Sequence, residues 1–124
     1  MDLKAYFENT QGTGVLSTAD QAGKVDAALY ARPHVMDDGT LAFIMRDRLS
    51  HKNLQSNPHA VYLFIEDSPG YRGKRIYLKR LREEQDTDLL KSLQRRKYAE
   101  ETGEAKFLVF FELTNERPLV GDHK

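Results

Sequence analysis

The stretch from Leu41 to Ile65 limits what this chain can fold into more than any other part of its sequence. An apolar run, Leu41 to Met45, gives way to Arg46-Asp47-Arg48. Ser50, His51 and Lys52 then open a short segment that Asn57-Pro58 closes, and a second apolar run covers Ala60 to Ile65. Short apolar runs bounded by polar punctuation read as strands. The order is therefore strand, cationic turn, one or two helical turns, strand. A helix start flanked by Arg, His and Lys suits a phosphate group. Its first N–H groups lack intrahelical partners, and the helix dipole places partial positive charge there. The plain alternative is a Ser50 N-cap on a connecting loop whose charges are solvated.

The flanking sequence extends this pattern. Asp2 to Asn9 is expected to form a short helix with Leu3, Tyr6 and Phe7 on one face. Val15 to Thr18 and Val25 to Ala31 are expected as strands joined by a hairpin turn at Asp20 to Lys24. Arg32 to Met36 continues in extended form, with Pro33 marking an edge, a bulge or the strand's end because it cannot donate to a ladder. Asp37-Asp38-Gly39 turns the chain into a third strand, Thr40 to Met45. Val61 to Ile65 carries no polar alternation, which predicts a fourth strand buried on both faces.

Asp67 to Lys74 holds Pro69, Gly70 and Gly73 and reads as a loop. Ile76 to Leu81 gives a fifth strand with imperfect alternation, and Phe107 to Leu113 gives the last. Between them, Thr87 to Thr102 reads as a helix capped by Asp86 or Thr87 and stopped by Gly103. About six short strands with flanking helices predict a mainly β, α+β fold, one small β-barrel domain over residues 1–124.

Composition narrows the function classes. The chain has 19 basic and 19 acidic side chains and no cysteine. A generic nucleic-acid coat shows a basic excess, so a barrel binding single strands through Tyr71, Arg72, Lys74 and Arg75 ranks last. Disulfides, thiolate metal sites and thiol catalysis are excluded. His34, His51, His59 and His123 show no compact ligand spacing, so no dedicated metal site is expected. Gly12-Thr13-Gly14 lacks the rest of a dinucleotide fingerprint or P-loop, and no nucleophile elbow occurs. No apolar run reaches membrane-spanning length, and the N-terminal MDLKAYFENTQ has no apolar signal core, so a cytoplasmic protein is expected.

A second candidate cluster is Arg32-Pro33-His34. An Arg where a strand leaves the sheet is suited to lie beside an electron-rich ring or a phosphate. His34 can donate or accept a hydrogen bond at a ring edge. An exposed edge strand explains the same residues.

Taken in order, these pieces resemble the FMN-binding split-barrel family related to pyridoxamine 5'-phosphate oxidase. The resemblance rests on Gly14-Val15-Leu16-Ser17-Thr18, on Ala28 through Val35, on Phe43-Ile44-Met45-Arg46, on Ser50-His51-Lys52-Asn53-Leu54 and on Asn57-Pro58-His59-Ala60-Val61. It implies a split β-barrel that binds FMN, with Ser50, Lys52 and His51 at the phosphate; relatives often carry Arg in place of that histidine. It also implies Met45 and Arg46 along the flavin and ribityl chain, and Arg32, Pro33, His34 and Val35 bordering the ring. These would be cofactor-binding residues, with no catalytic side chain, because hydride chemistry belongs to the flavin.

A homodimer holding FMN between subunits is implied, with Tyr71, Arg72 or Arg75 reaching the neighbour's flavin. The expected activity is oxidation or reduction of a small molecule, or electron transfer. The C-terminal pattern by which pyridoxamine phosphate oxidases hold their vitamin does not map onto Asn115 to Lys124, which weighs against that substrate. The alternative is a non-catalytic module of the same fold that holds flavin, a deazaflavin or haem.

Overall fold

The computed structural model describes residues 2–94 and 104–121. In chain order the elements are α1 (Leu3–Asn9), β1 (Gly12–Ala19), β2 (Val25–Leu29), β3 (His34–Val35), β4 (Leu41–Arg46), α2 (Leu49–Ser56), β5 (His59–Glu66), β6 (Gly73–Gln85), α3 (Asp88–Leu93) and β7 (Lys106–Pro118). Among the described residues these make one seven-stranded antiparallel sheet, ordered β2-β1-β5-β6-β7-β4-β3. The strand beyond the expected six is β3, two residues paired with β4. No helix of the described residues is long and apolar enough to cross a membrane.

Local chemistry explains most boundaries. The Asp2 carboxylate accepts from the backbone N–H groups of Lys4 and Ala5 and so starts α1. The β1–β2 hairpin turns at Asp20, whose carboxylate accepts from the N–H groups of Ala22 and Lys24, and Gly23 supplies the required positive φ of 85°. Thr87, and not Asp86, caps α3 by accepting from the Leu90 N–H. That helix ends at Leu93, with Gln94 as its C-cap. The expected continuation through Arg95 to Thr102, and its stop at Gly103, lie outside the described residues.

β6 and β7 run longer than their apolar cores suggest, β7 continuing past Leu113 to Pro118. β6 starts at Gly73, inside the expected loop, and continues to Gln85. Its pairing with β7 slips between Arg80 and Arg82. Leu81 is the extra residue of this bulge, which accounts for the imperfect alternation of Ile76 to Leu81.

The expectation for β5 is corrected. Ala60, Tyr62 and Phe64 are buried, Val61 and Leu63 only partly, and Ile65 is exposed. The strands buried on both faces are β4 and β7. Leu41, Phe43, Met45, Val109 and Phe111 enter the main core, while Ala42, Leu108 and Phe110 form a second cluster with Leu90 of α3. Layering decides this. α3 covers the outer side of β4 and β7, and an apolar strand sequence cannot announce which strand receives a covering helix.

The main core is aromatic. Tyr62 sits among Phe7, Phe43 and Phe64, with ring centroids 5.0 to 6.2 Å apart. Its hydroxyl donates to the Tyr30 carbonyl at 3.0 Å. Gly14 makes room for this ring, since a Cβ there would fall 1.9 Å from the Tyr62 hydroxyl oxygen.

Candidate functional site

Helix α2 joins β4 to β5, which are separated in the sheet by β6 and β7. To cross, it packs on β1 and β2 at one end of the curved sheet and on β4 near the other. A groove is left between these ends, beside the start of α2. It consists of two adjoining cavities of about 420 and about 730 Å³ that share Gly12, Tyr30, Ala31, Ile44 and Arg46. Arg32, His34 and Lys106 line the smaller cavity, and Ala28, Leu29, Arg48 and Ser50 the larger. Volumes and mixed lining of this kind suit a small organic ligand with a charged group.

The register of α2 decides which predicted residues meet there. Its N-cap is Arg48, in extended conformation and without a side-chain cap bond. Ser50 therefore lies inside the helix, which removes the plain alternative of a Ser50 N-cap. Successive helical residues turn by about 100°, so Ser50, His51 and Lys52 leave in three directions. Ser50 is buried against the groove, where Tyr30 lines the same cavity. Burial pushes the Tyr30 phenol up, only partly offset by the nearby Ser50 hydroxyl, so the Tyr30 hydroxyl stays protonated at neutral pH.

His51 instead enters the seam between α2, β6 and β7. Its ring stacks on Phe107, centroids 3.9 Å apart, and its Nε2 lies 3.0 and 3.1 Å from the Glu83 carboxylate oxygens. Burial alone would raise the Glu83 pKa, but hydrogen bonds from His51, Gln55 and Arg80 outweigh it and hold the carboxyl below its ordinary value. Lys52 points to solvent. Neither His51 nor Lys52 lines the groove.

The second predicted cluster is divided as well. Arg32 lines the smaller cavity, while its guanidinium donates to the carbonyls of Phe7 and Thr10 at 2.8 and 3.0 Å, satisfying the C-terminal end of α1. His34 borders the same cavity. Pro33 and Val35 border a separate hollow with Lys4 and Glu8. The Met45 side chain is wholly buried in the core, because alternation along β4 sends Ile44 and Arg46 to the groove and Met45 inward. The loop candidates fare differently again. Lys74 is paired with Glu116 at 2.6 Å, and Arg75 donates to the carbonyls of Pro118 and Gly121, leaving Tyr71 and Arg72 exposed.

Among the described residues, the cations of the groove are Arg46, Arg48 and Lys106, with Arg32 further along. Arg46 and Lys106 are direct partners in the β4–β7 ladder, a like-charge juxtaposition that is unfavourable unless an anion intervenes. Glu104 supplies one. Its carboxylate accepts from Arg46 at 3.0 Å and from the Arg48 guanidinium at 2.9 and 3.1 Å. The Arg48 bond, followed by that from Arg46, holds the Glu104 carboxyl below the ordinary carboxylate range.

Tyr30, Ile44, Glu104 and Lys106 escape the sequence argument. Ile44 could have been found from its two-residue spacing to Arg46, but Glu104 and Lys106 arrive only through β7 pairing.

Solved structures share this architecture. An FMN-binding protein from Syntrophomonas wolfei subsp. wolfei is 20% identical, with a TM-score of 0.72 over 95% of this chain and 84% of that one. An F420 reductase is 13% identical, with a TM-score of 0.65 over 94% and 97%. HutZ, the heme storage protein from Vibrio cholerae, is 13% identical, with a TM-score of 0.61 over 94% and 91%. No protein-family model and no curated protein sequence matches the chain. The fold is thus the split barrel, in which flavin-binding, flavin-reducing and haem-storing proteins are found.

Proposed function

We propose that this chain is a flavoprotein that binds FMN in the groove between β1–β2 and β4 and serves as a small-molecule oxidoreductase or electron-transfer protein. The observation that carries the reading is the join of an apolar slot to a cationic end at one helix start. Arg46, Arg48 and Ser50 offer charge-assisted and hydroxyl donors for a phosphate monoester. Ala28, Ala31 and Ile44 offer an apolar wall, and Tyr30 and His34 offer polar edges. This set fits FMN, which needs a phosphate anchor, a wall for its ring and hydrogen bonds at the ring's edge.

Bound flavin would supply the redox chemistry. The chain's part is to hold and tune it. Lys106, on the smaller cavity, would favour negative charge developing beside it and so raise a bound flavin's reduction potential. Arg32 would keep the end of α1 fixed against that cavity. Met45 would contribute through its backbone, and Pro33 and Val35 by shaping the strand that carries His34.

A homodimer completes the reading. Val25 and Leu29, 78% and 75% exposed, lie on edge strand β2, and exposed Leu49 begins α2. Leu29 and Leu49 also line the larger cavity. A second copy laid on this apolar edge would cover the groove's open side. The F420 reductase and HutZ keep a deazaflavin or haem module as the second reading, with His34 in the smaller cavity as the natural haem-side group.

Visible absorbance of the purified protein and titration with FMN by fluorescence quenching test the proposal. A two-band flavin spectrum or stoichiometric quenching is expected. A colourless protein indifferent to FMN overturns it, and turnover with nicotinamide donors and artificial acceptors then separates enzyme from module where flavin is bound.

A further inference from the structure

We infer that Glu104 is a built-in competitor for the groove's anion site, engaging the Arg46–Arg48 pair that a ligand phosphate would need. The inference rests on the groove binding a phosphorylated ligand, and it adds a device that sets how strongly the phosphate is read.

Three facts carry it. One carboxylate engages two guanidinium groups from different parts of the chain, Arg46 at the end of β4 and Arg48 at the start of α2. Both arginines line the larger cavity, which Glu104 itself does not, so ligand space adjoins the side chains that Glu104 holds. The third cation, Lys106, stands opposite Arg46 in the ladder, two residues beyond Glu104.

Carboxylate and phosphate oxygens ask for the same donors, and a fork-shaped guanidinium serves either with paired N–H groups. A phosphomonoester dianion brings more charge than a single carboxylate and can displace it. A flavin without phosphate cannot. Glu104 therefore lowers the affinity for every phosphorylated ligand while leaving the apolar slot untouched. It also keeps the like-charged Arg46, Arg48 and Lys106 together when no ligand is present.

The test titrates the full chain and its Glu104→Gln variant with FMN and with riboflavin, and measures inorganic pyrophosphate binding to both by calorimetry. Glutamine keeps the shape and removes the charge. Relative to the wild type, the variant should bind FMN about tenfold more tightly and riboflavin equally well. Unchanged or weaker FMN binding overturns the inference, as does an equal gain for riboflavin, which would report a loosened slot. If neither protein binds flavin, the FMN reading fails on its own. Tighter pyrophosphate binding by the variant would then still uphold the role of Glu104, and unchanged pyrophosphate binding would overturn it. Glu104→Asp guards against misfolding: its shorter side chain cannot reach both arginines, so its FMN affinity should fall between the other two.

Discussion

Helix α2 has a carboxylate on each side of it, and the two are used differently. In the seam, Glu83 gathers His51, Gln55 and Arg80 beside the Phe107 ring, and none of these lines either cavity of the groove. At the groove, Glu104 gathers Arg46 and Arg48 along an open slot. The exposure of the donors marks the difference, since the His51 side chain is 8% exposed and that of Arg48 is 67%. A carboxylate bonded to a buried, stacked histidine is part of the fold, because removing it strands that buried donor. One beside ligand space is exchangeable, because water or another anion can take over its bonds.

This contrast can be broken by substitution. The largest effect belongs to the seam. Phe107→Ala should destabilise the protein by about 3 kcal/mol, from lost packing and the vacated stack on His51. Urea unfolding measures it, and a cost below a surface substitution's would show that the seam is not a structural unit.

At the groove, Arg46→Ala should weaken FMN binding by at least about tenfold through loss of a charge-assisted contact. Its unfolding midpoint should stay close to that of the wild type. A large fall in stability with unchanged FMN affinity would exchange the roles of the two regions.

Glu83→Gln comes next, at about 1–2 kcal/mol near neutral pH, as three donors lose a charged acceptor. Because the folded pKa of Glu83 lies below the ordinary 4.5, its stabilisation is complete above that value. It is lost as pH falls through the lower, folded pKa. The gap in stability between wild type and Glu83→Gln should therefore close on acidification below 4.5, and a gap that widens there would refute the assignment. Smallest of all is Lys52→Ala. It should change FMN affinity less than about twofold, as expected for a solvated lysine outside the groove, and a tenfold loss would return the anchor to Lys52.

Much of the architecture is legible along the chain because it is written in local chemistry. The Asp2 cap, the Gly23 turn, the Asn57-Pro58 stop and the apolar runs of β1, β4, β5 and β7 each depend on residues close in sequence. Even the bulge of β6 shows in the misplaced Leu81. What misled was phase. The run Ser50-His51-Lys52 looks like one cationic cluster on paper, but a helix separates neighbours by about 100°. Only the true start of α2 at Arg48 tells which of them faces the groove. With that start at Arg48, His51 and Lys52 turn away from the groove, and Arg48 joins the already expected Arg46 among its cations.

The sequence by itself determined that this chain would make a small, mainly β domain with a phosphate-friendly turn after its apolar strand Leu41–Arg46. Periodicity, caps and turns act over a few residues, and they suffice for that. The tertiary structure alone decided that β7 lies beside β4, that Lys106 faces Arg46 across the ladder and that Glu104 closes on both arginines. It also decided that α3 covers β4 and β7 and leaves β5 half bare. These are pairings between distant segments, chosen by the packing of the whole sheet, and no local pattern encodes them.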